Sequence, residues 1–176
     1  MEMLGYGRRG WPGLLALVAL VVVVALRPGG DDGGDTEHDE MRGPRGALVL
    51  SVTDGDTVKV RIGGRIEDVR YIGIDTPEVD PSIGVECFGA EASRLNERLV
   101  GGRRVRLVFD DELRDRYGRM LAYVYVGRTL VNAEIVRRGY ARTLTIPPNT
   151  DRAPLFARLA AAAGRSGRGL WSACQA

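Results

Sequence analysis

Three short charged segments contain the side chains of this sequence that could do chemistry. Asp54-Gly55-Asp56-Thr57 precedes a strand-like run, Arg70 to Glu78 includes two carboxylates at its end, and Asp115 to Arg119 enters a later strand. Carboxylate oxygens select Ca²⁺ or Mg²⁺ over zinc, and a guanidinium group binds two phosphate oxygens at once. A base, a cation and paired arginines at one point are what the hydrolysis of a phosphodiester requires.

Each segment also has a simpler interpretation when it is taken alone. Asp-Gly pairs are common in turns, and a charged loop such as Asp115 to Arg119 is usually a solvated turn. Arg70 shares one strand parity with Ile72 and Ile74, and arginine is rarely buried unless it is paired. We therefore expect Arg70 to line the interior of the fold or its mouth.

The composition argues against several other mechanisms. The chain has 176 residues and one histidine, His38, which lies in a glycine- and acid-rich stretch. Of the 25 basic residues all but Lys59 are arginine. A histidine base, a histidine-ligated zinc ion or a Ser-His-Asp relay therefore does not suit the folded part of the chain.

Residues 1–27 have the pattern of a secretory signal peptide or an uncleaved signal anchor. Arg8 and Arg9 precede the 16-residue uncharged run from Trp11 to Leu26, as in such segments. As a helix this run would span about 24 Å, less than the ~30 Å hydrocarbon core, although a buried core helix is an alternative. We predict an exported chain, secreted or anchored to the outer face of the cytoplasmic membrane, whose membrane contact is confined to this segment.

Residues 28–46 are predicted to be a flexible linker. They are rich in glycine and acidic residues without apolar periodicity, so they cannot bury enough surface to offset their ordering entropy. Their six acidic residues and His38 could bind a metal, but a solvated spacer is the simpler interpretation. Residues 47–176 carry 20 basic and 16 acidic residues, and this surplus of positive charge suits an anionic partner.

Five strands and three helices must position the charged segments. The strands are expected at residues 48–52, 57–62, 68–74, 104–109 and 120–126. The helices are expected at residues 90–100, 131–138 and, with Thr150 or Asp151 as the N-cap, from there to 163. The sequence thus predicts an α+β domain over residues 47–176 with a five-stranded, closed or nearly closed β-barrel.

The ordered set of motifs resembles the staphylococcal nuclease family. Asp-Gly-Asp-Thr-Val begins at Asp54, Asp-Thr-Pro-Glu follows Arg70 after four residues, and Asp-x-Tyr-Gly-Arg spans Asp115 to Arg119. The resemblance covers about residues 47 to 173. It implies an OB-type barrel with helices and a calcium-dependent endonuclease, which cleaves the 5′-O–P bond of DNA or RNA and leaves 3′-phosphates.

The resemblance also implies a metal site and a general base. Asp56 and Asp75 would supply carboxylates to one Ca²⁺ ion, and Thr76 would supply its backbone carbonyl. Glu78 matches the glutamate that is usually assigned as the general base for the attacking water.

The remaining matches concern the substrate. Arg70 and Arg119 match the two arginines that bind the scissile phosphate and stabilise the transition state. Tyr117 matches a tyrosine near the terminal phosphate of the nucleotide, and Arg116 replaces a lysine often found before it. The chain departs from the family over residues 140–146, where tyrosines that pack against the base are missing, so weaker base stacking is expected.

The two cysteines are hypothesised to form a disulfide. Cys87 and Cys174 lie in a domain predicted to be exported, where disulfides persist, and a bond would anchor the C-terminal segment near the loop before the first helix. Two separate buried thiols are the alternative, because spacing does not prove proximity.

Two functions remain open at this point. One is a monomeric nuclease with nucleic acid as its partner. The other is a non-catalytic OB-type module that binds nucleic acid or protein. Degenerate modules of this kind would be expected to lack the glutamate or one arginine, and Glu78, Arg70 and Arg119 are all present.

Overall fold

A computed structural model describes residues 43–80, 82 and 84–174, and the predicted signal or anchor and most of the predicted linker lie outside these residues. The described strands are β1 Arg45–Val52, β2 Thr57–Ile62, β3 Arg65–Tyr71, β4 Gly73–Asp75, β5 Val79–Asp80, β6 Gly84–Val85, β7 Arg104–Val108, β8 Met120–Val126, β9 Thr129–Leu130 and β10 Arg142–Leu144. The described helices are α1 Gly89–Val100, α2 Val131–Arg137, α3 Ala153–Arg165 and α4 Leu170–Ala173. None of these helices is long and apolar enough to cross a membrane.

Five of the strands close into a barrel. The order in the main sheet is β3-β2-β1-β7-β8, with β9 beyond β8, and a parallel pairing of β3 with β8 completes the ring. In that pairing Val69 lies opposite Met120, and Arg70 lies opposite Leu121. The predicted α+β fold with a five-stranded barrel of the OB type is therefore confirmed.

Side-chain alternation on β3 separates the core from the functional face. Val69 and Tyr71 are buried in the core, and successive residues of a strand point to opposite faces. Arg70 therefore lies on the other face of β3, next to the end of the strand and outside the core, so of the two expected positions the interior is wrong. The shared parity with Ile72 and Ile74 was misleading because the strand does not continue through these residues.

The predicted strand over residues 68–74 is two strands, β3 and β4. Between them Gly73 adopts φ +80°, a conformation that residues with a Cβ rarely adopt. A Cβ at this position would also lie 2.5 Å from the ring of Phe156. The chain therefore leaves the barrel at Gly73, and β4 pairs with β10, which places Asp75 opposite Arg142.

The three predicted helices are present, with small differences at their ends. The third, α3, begins at Ala153 with Arg152 as the N-cap and no capping side chain. The stretch before it is a turn, in which the Ala153 N–H donates to the Thr150 carbonyl. The short helix α4 was not predicted from the sequence.

A buried amide attaches α2 to the barrel. The Asn132 side chain has no exposed surface. Its Oδ1 accepts from the Val124 N–H at 2.9 Å, and its Nδ2 donates to the Ile72 carbonyl at 2.9 Å. Asn132 thereby satisfies two backbone groups at the point where the chain leaves the barrel, next to Gly73.

Candidate active site

Asp56 is a buried carboxylate at the turn before β2, with 2% of its surface exposed. Its Oδ2 accepts from the Thr76 N–H at 2.8 Å and from the Thr76 hydroxyl at 3.1 Å. Its Oδ1 lies 3.1 Å from Arg70 Nε. Burial raises the pKa of Asp56, as do the charges of Asp54 and Asp75, whereas the Arg70 charge and the Thr76 N–H oppose the rise. These two partners offset only part of the cost of burying the charge, so the pKa of Asp56 stays above its usual value.

The Arg70 guanidinium joins both carboxylates that the resemblance assigns to a metal. In addition to the contact with Asp56, Nη2 donates to Asp75 Oδ1 at 2.8 Å. Nη1 donates to the carbonyl oxygens of Tyr71 at 2.9 Å and Ile74 at 2.8 Å. Only 11% of the side chain is exposed. These hydrogen bonds use several N–H groups of the planar guanidinium and fix the Arg70 side chain where β3 passes into β4.

The oxygen donors near Arg70 suit a hard cation in their chemistry. They are the carboxylates of Asp56 and Asp75 together with the Thr76 carbonyl, and the half-exposed Asp75 side chain gives them access to solvent. Oxygen ligands of this kind suit Ca²⁺ or Mg²⁺. Within the described residues no group of three His, Cys, Asp or Glu side chains could hold a metal ion. The types of donor atom nevertheless fit a hard divalent cation.

Glu78 follows β4 and has an exposed side chain. Its N–H donates to Glu86 Oε2 at 3.0 Å, and its carbonyl accepts from the Glu86 N–H at 3.0 Å. Desolvation raises the pKa of Glu78, the charges of Asp54, Asp75 and Glu86 add to the rise, and Arg70 opposes it. A raised pKa is the direction that suits a carboxylate base.

Arg119 is positioned by the loop that precedes β8. Its Nε donates to Asp115 Oδ2 at 2.8 Å, while Asp115 Oδ1 accepts from the backbone N–H groups of Tyr117 and Arg119. Burial raises the pKa of Asp115, but these hydrogen bonds outweigh it and hold the pKa below its usual value. The loop is thus a folded turn with Arg119 at its end.

Tyr117 presents its ring to solvent between two arginines. The ring is 68% exposed, with the Arg116 guanidinium carbon 4.7 Å and that of Arg119 5.5 Å from its centroid. Arg116 Nη2 also donates to the Tyr117 hydroxyl at 2.5 Å. An exposed aromatic face beside two cations can accept both a base and a phosphate.

A cleft of about 500 Å³ brings the predicted substrate residues together. Its lining includes Arg70, Arg116, Tyr117 and Arg119. The side chains assigned to the metal and to the base do not line this cleft. They adjoin it through Arg70, which contacts both Asp56 and Asp75.

Sequence reasoning missed Glu112 and Asn149, which line the same cleft together with Leu144 and Ile146 of the segment that lacks the family's tyrosines. Asn149 Oδ1 accepts from the Glu112 N–H at 2.7 Å, and its Nδ2 donates to the Glu112 carbonyl at 2.8 Å. The turn signal of Pro147-Pro148-Asn149 could have indicated a loop here. Nothing in the sequence shows that Glu112 is its partner.

The structure joins Cys87 to Cys174 in a disulfide with a Cα–Cα distance of 5.8 Å. The hypothesised bond is thus present, and the alternative of two separate thiols is wrong. Cys87 precedes α1 and Cys174 follows α4.

The fold and the site define a class of protein, an OB-type barrel with a cleft lined by arginines beside two linked carboxylates. The family model described as staphylococcal nuclease homologue matches residues 68–173. The chain belongs to the staphylococcal nuclease family.

Relatives of known name cover most of the chain. A thermonuclease of Staphylococcus intermedius is 39% identical over 137 residues, which are 77% of this chain and 81% of that protein. A thermonuclease of Staphylococcus hyicus is 36% identical over 143 residues, 78% of this chain and 82% of that protein. A prophage-derived endonuclease of Bacillus subtilis is 39% identical over 122 residues, which are 68% of this chain and 41% of that protein.

Proposed function

We propose that this chain is a calcium-dependent endonuclease that cleaves the 5′-O–P bond of DNA or RNA and leaves 3′-phosphates. The enzyme class, a phosphodiester-hydrolysing nuclease, is supported by the family and by relatives named thermonuclease and endonuclease. One observation carries the finer proposal. Arg70 contacts Asp56 and Asp75 and lines the same cleft as Arg119, so a phosphate and a cation bound to these groups would be neighbours.

Asp56, Asp75 and the Thr76 carbonyl would hold the calcium ion, which when bound supplies positive charge to the phosphate oxygens. Arg70 keeps the two carboxylates close to one guanidinium and so prepares them for a shared ligand. The hydrogen bonds from Thr76 to Asp56 fix the orientation of the buried carboxylate. This arrangement limits the reorganisation that binding would require.

The two arginines stabilise the charge that develops on the phosphate, and Glu78 accepts a proton from the attacking water. The water oxygen bonds to phosphorus as the bond from phosphorus to the 5′ oxygen breaks, and the proton passes on to that leaving oxygen. The products are a 3′-phosphate and a 5′-hydroxyl. The raised pKa of Glu78 and the folded Asp115–Arg119 turn support these roles.

Base contacts are weak in this proposal. Tyr117 offers one exposed ring, and the lining of the cleft also includes the exposed apolar side chains of Leu144 and Ile146. One stacking ring and aliphatic contacts do not distinguish one base from another, because every base can stack on a ring. We therefore propose cleavage with little sequence preference by a monomer that acts outside the cell, and sequencing of the mature N-terminus would test the export.

Digestion of supercoiled plasmid and of a structured RNA by the purified full-length protein tests the nuclease proposal. We expect nicking and linearisation with calcium, none with a calcium chelator, and fragments whose 3′ ends cannot be extended until a phosphatase is added. Arg158→Ala, a change at an exposed arginine of α3, serves as a matched charge control and should cleave like wild type.

Binding of the plasmid without calcium-stimulated cleavage would contradict the nuclease proposal and favour the non-catalytic OB-type module. The retention of Glu78, Arg70 and Arg119 argues against that module, since binding alone would not require all three.

A further inference from the structure

We propose that the Cys87–Cys174 disulfide positions Glu78 for catalysis, acting through Glu86. The inference rests on the proposed role of Glu78 as the base. Neither cysteine reaches the cleft or the substrate arginines, so the disulfide and Glu86 are positioning elements and not catalytic residues.

The first link runs from Glu78 to Glu86. The Glu78 N–H donates to the Glu86 carboxylate, and the Glu86 N–H donates back to the Glu78 carbonyl. The Glu86 carbonyl accepts from the Gly89 N–H at 2.9 Å, and a Cβ at Gly89 would lie 2.5 Å from the Glu78 carbonyl oxygen. The backbone of Glu78 is therefore held by Glu86 and by close packing against the start of α1.

The second link runs from Glu86 to the body of the domain. Cys87, the next residue, is bonded to Cys174, whose N–H donates to the Leu170 carbonyl at 3.0 Å. Leu170 is buried, with 2% of its surface exposed, and its N–H donates to the Gly139 carbonyl at 2.9 Å. The disulfide thus connects the Glu78 loop to a helix that is anchored in the core.

Little of the described part of this loop is buried. Its hairpin consists of the two-residue strands β5 and β6, and Val85, Glu86 and Cys87 are all exposed. Segments with few buried apolar contacts open at low free energy. A covalent bond at the base of this hairpin therefore restricts the motion of Glu78 more than a bond in a well-packed region would.

The disulfide also lies beside the proposed calcium ligands. Asp75, Thr76, Glu86 and both cysteines line one cavity of about 270 Å³. The disulfide and two of the proposed calcium ligands therefore line the same cavity, and displacement of Cys87 would change its wall.

The double substitution of Cys87→Ser with Cys174→Ser tests this role in the full-length protein. We expect kcat to fall by about tenfold to a hundredfold, the scale of a misplaced catalytic group, while KM changes by less than about twofold, because the substrate arginines belong to other segments. Assays run below the melting temperature of the variant, checked by circular dichroism, separate misplacement from unfolding.

Glu86 provides a second test that leaves the disulfide intact. Glu86→Ala removes the acceptor for the Glu78 N–H and should lower kcat, whereas Glu86→Gln keeps an acceptor oxygen and should restore most of it. Glu91→Ala, which removes an exposed carboxylate from the first turn of α1, is the matched control and should leave kcat unchanged. Equal kcat in wild type, Glu86→Ala and the cysteine variant would overturn the inference.

Hydrogen exchange gives a readout that does not need activity. The Glu78 amide should exchange faster in the cysteine variant than in wild type, because its hydrogen bond to Glu86 opens more often. Unchanged exchange at Glu78 would overturn the positioning role whatever the activity. An inactive wild type with faster exchange in the variant would instead overturn the proposed function and leave the positioning of Glu78 supported.

Discussion

Arg70 and Asp75 form an ion pair in which Nη2 donates to Oδ1 at 2.8 Å, although they are proposed to bind opposite charges, a phosphate and a calcium ion. Their contact couples the two ligands. A cation bound at Asp75 would compete with Arg70 for Oδ1, and a phosphate bound at Arg70 would compete with Asp75 for Nη2. Either ligand would therefore weaken the ion pair. Binding of either ligand should therefore ease binding of the other.

Arg70→Lys should lower kcat by about 10²- to 10³-fold, the usual cost of losing a transition-state donor. A lysine keeps the charge, but its single ammonium group cannot replace the planar guanidinium, which contacts Asp56, Asp75 and two backbone carbonyls. Single-turnover cleavage of a labelled oligonucleotide measures the effect. Arg61→Lys, at an exposed arginine of β2, is the control, and a comparable loss in that variant would refute the explanation.

Glu78→Gln should lower kcat by about 10²- to 10⁴-fold, as expected when a general base is removed, with no change in melting temperature. The hydrogen bonds of Glu78 use its backbone N–H and carbonyl, and its side chain is exposed, so the fold does not depend on the carboxylate. Calorimetry and cleavage assays on the same preparation test both parts. Wild-type activity would remove Glu78 from the mechanism, and Glu91→Gln serves as the control.

Asn132→Ala should lower the free energy of unfolding by about 1–3 kcal/mol for each backbone group left without its partner. Those groups are the Val124 N–H and the Ile72 carbonyl. Urea titration measures the change, and Thr129→Ala, at an exposed residue of β9, is the control. A loss no greater than that of the control would show that water replaces the amide.

Stability should fall on acidification in part through Glu134. Burial raises the pKa of this carboxyl, but hydrogen bonds from Arg137 and Arg138 outweigh it and lower the pKa below its usual 4.5. A lowered pKa in the folded state means that the stabilising contribution is complete above about pH 4.5 and is lost as the pH falls through the lower folded value.

The Glu134 contribution can be isolated by comparison with Glu134→Gln. Urea titrations at pH 7 should show a less stable variant, and the difference should shrink below pH 4. High salt should reduce it as well, because both arginines are about half exposed. A difference in stability that does not depend on pH would mean that Glu134→Gln acts through packing and not through the loss of the carboxylate charge.

Local patterns were sufficient for most of the barrel and the helices, since alternation and turn signals depend on neighbours in the chain. They failed at Gly73, because the clash that requires glycine there comes from Phe156, which is distant in sequence. The same limit applies to the site. The motifs identified Arg70, Asp56 and Asp75, but their mutual contact depends on the turn into β4.

Glu86 was missed for a related reason. Its carboxylate matters because a hairpin returns it to Glu78, and no spacing rule in a single sequence reveals that return. The cleft residues Leu144 and Ile146 were noticed as departures from tyrosine. Only the folded structure shows that they line the same cleft as the arginines.

The parallel pairing of β3 with β8 determines when the cleft can form during synthesis of the chain. This pairing brings Arg70 next to the residues after Arg119 and joins segments about fifty residues apart. A nascent chain or a proteolytic fragment that stops before Met120 therefore contains Arg70 and every proposed calcium ligand but has no cleft in which two arginines meet. If both arginines act as proposed, we expect such a chain not to cut nucleic acid, because the cleft forms only when translation has supplied the strand that closes the barrel.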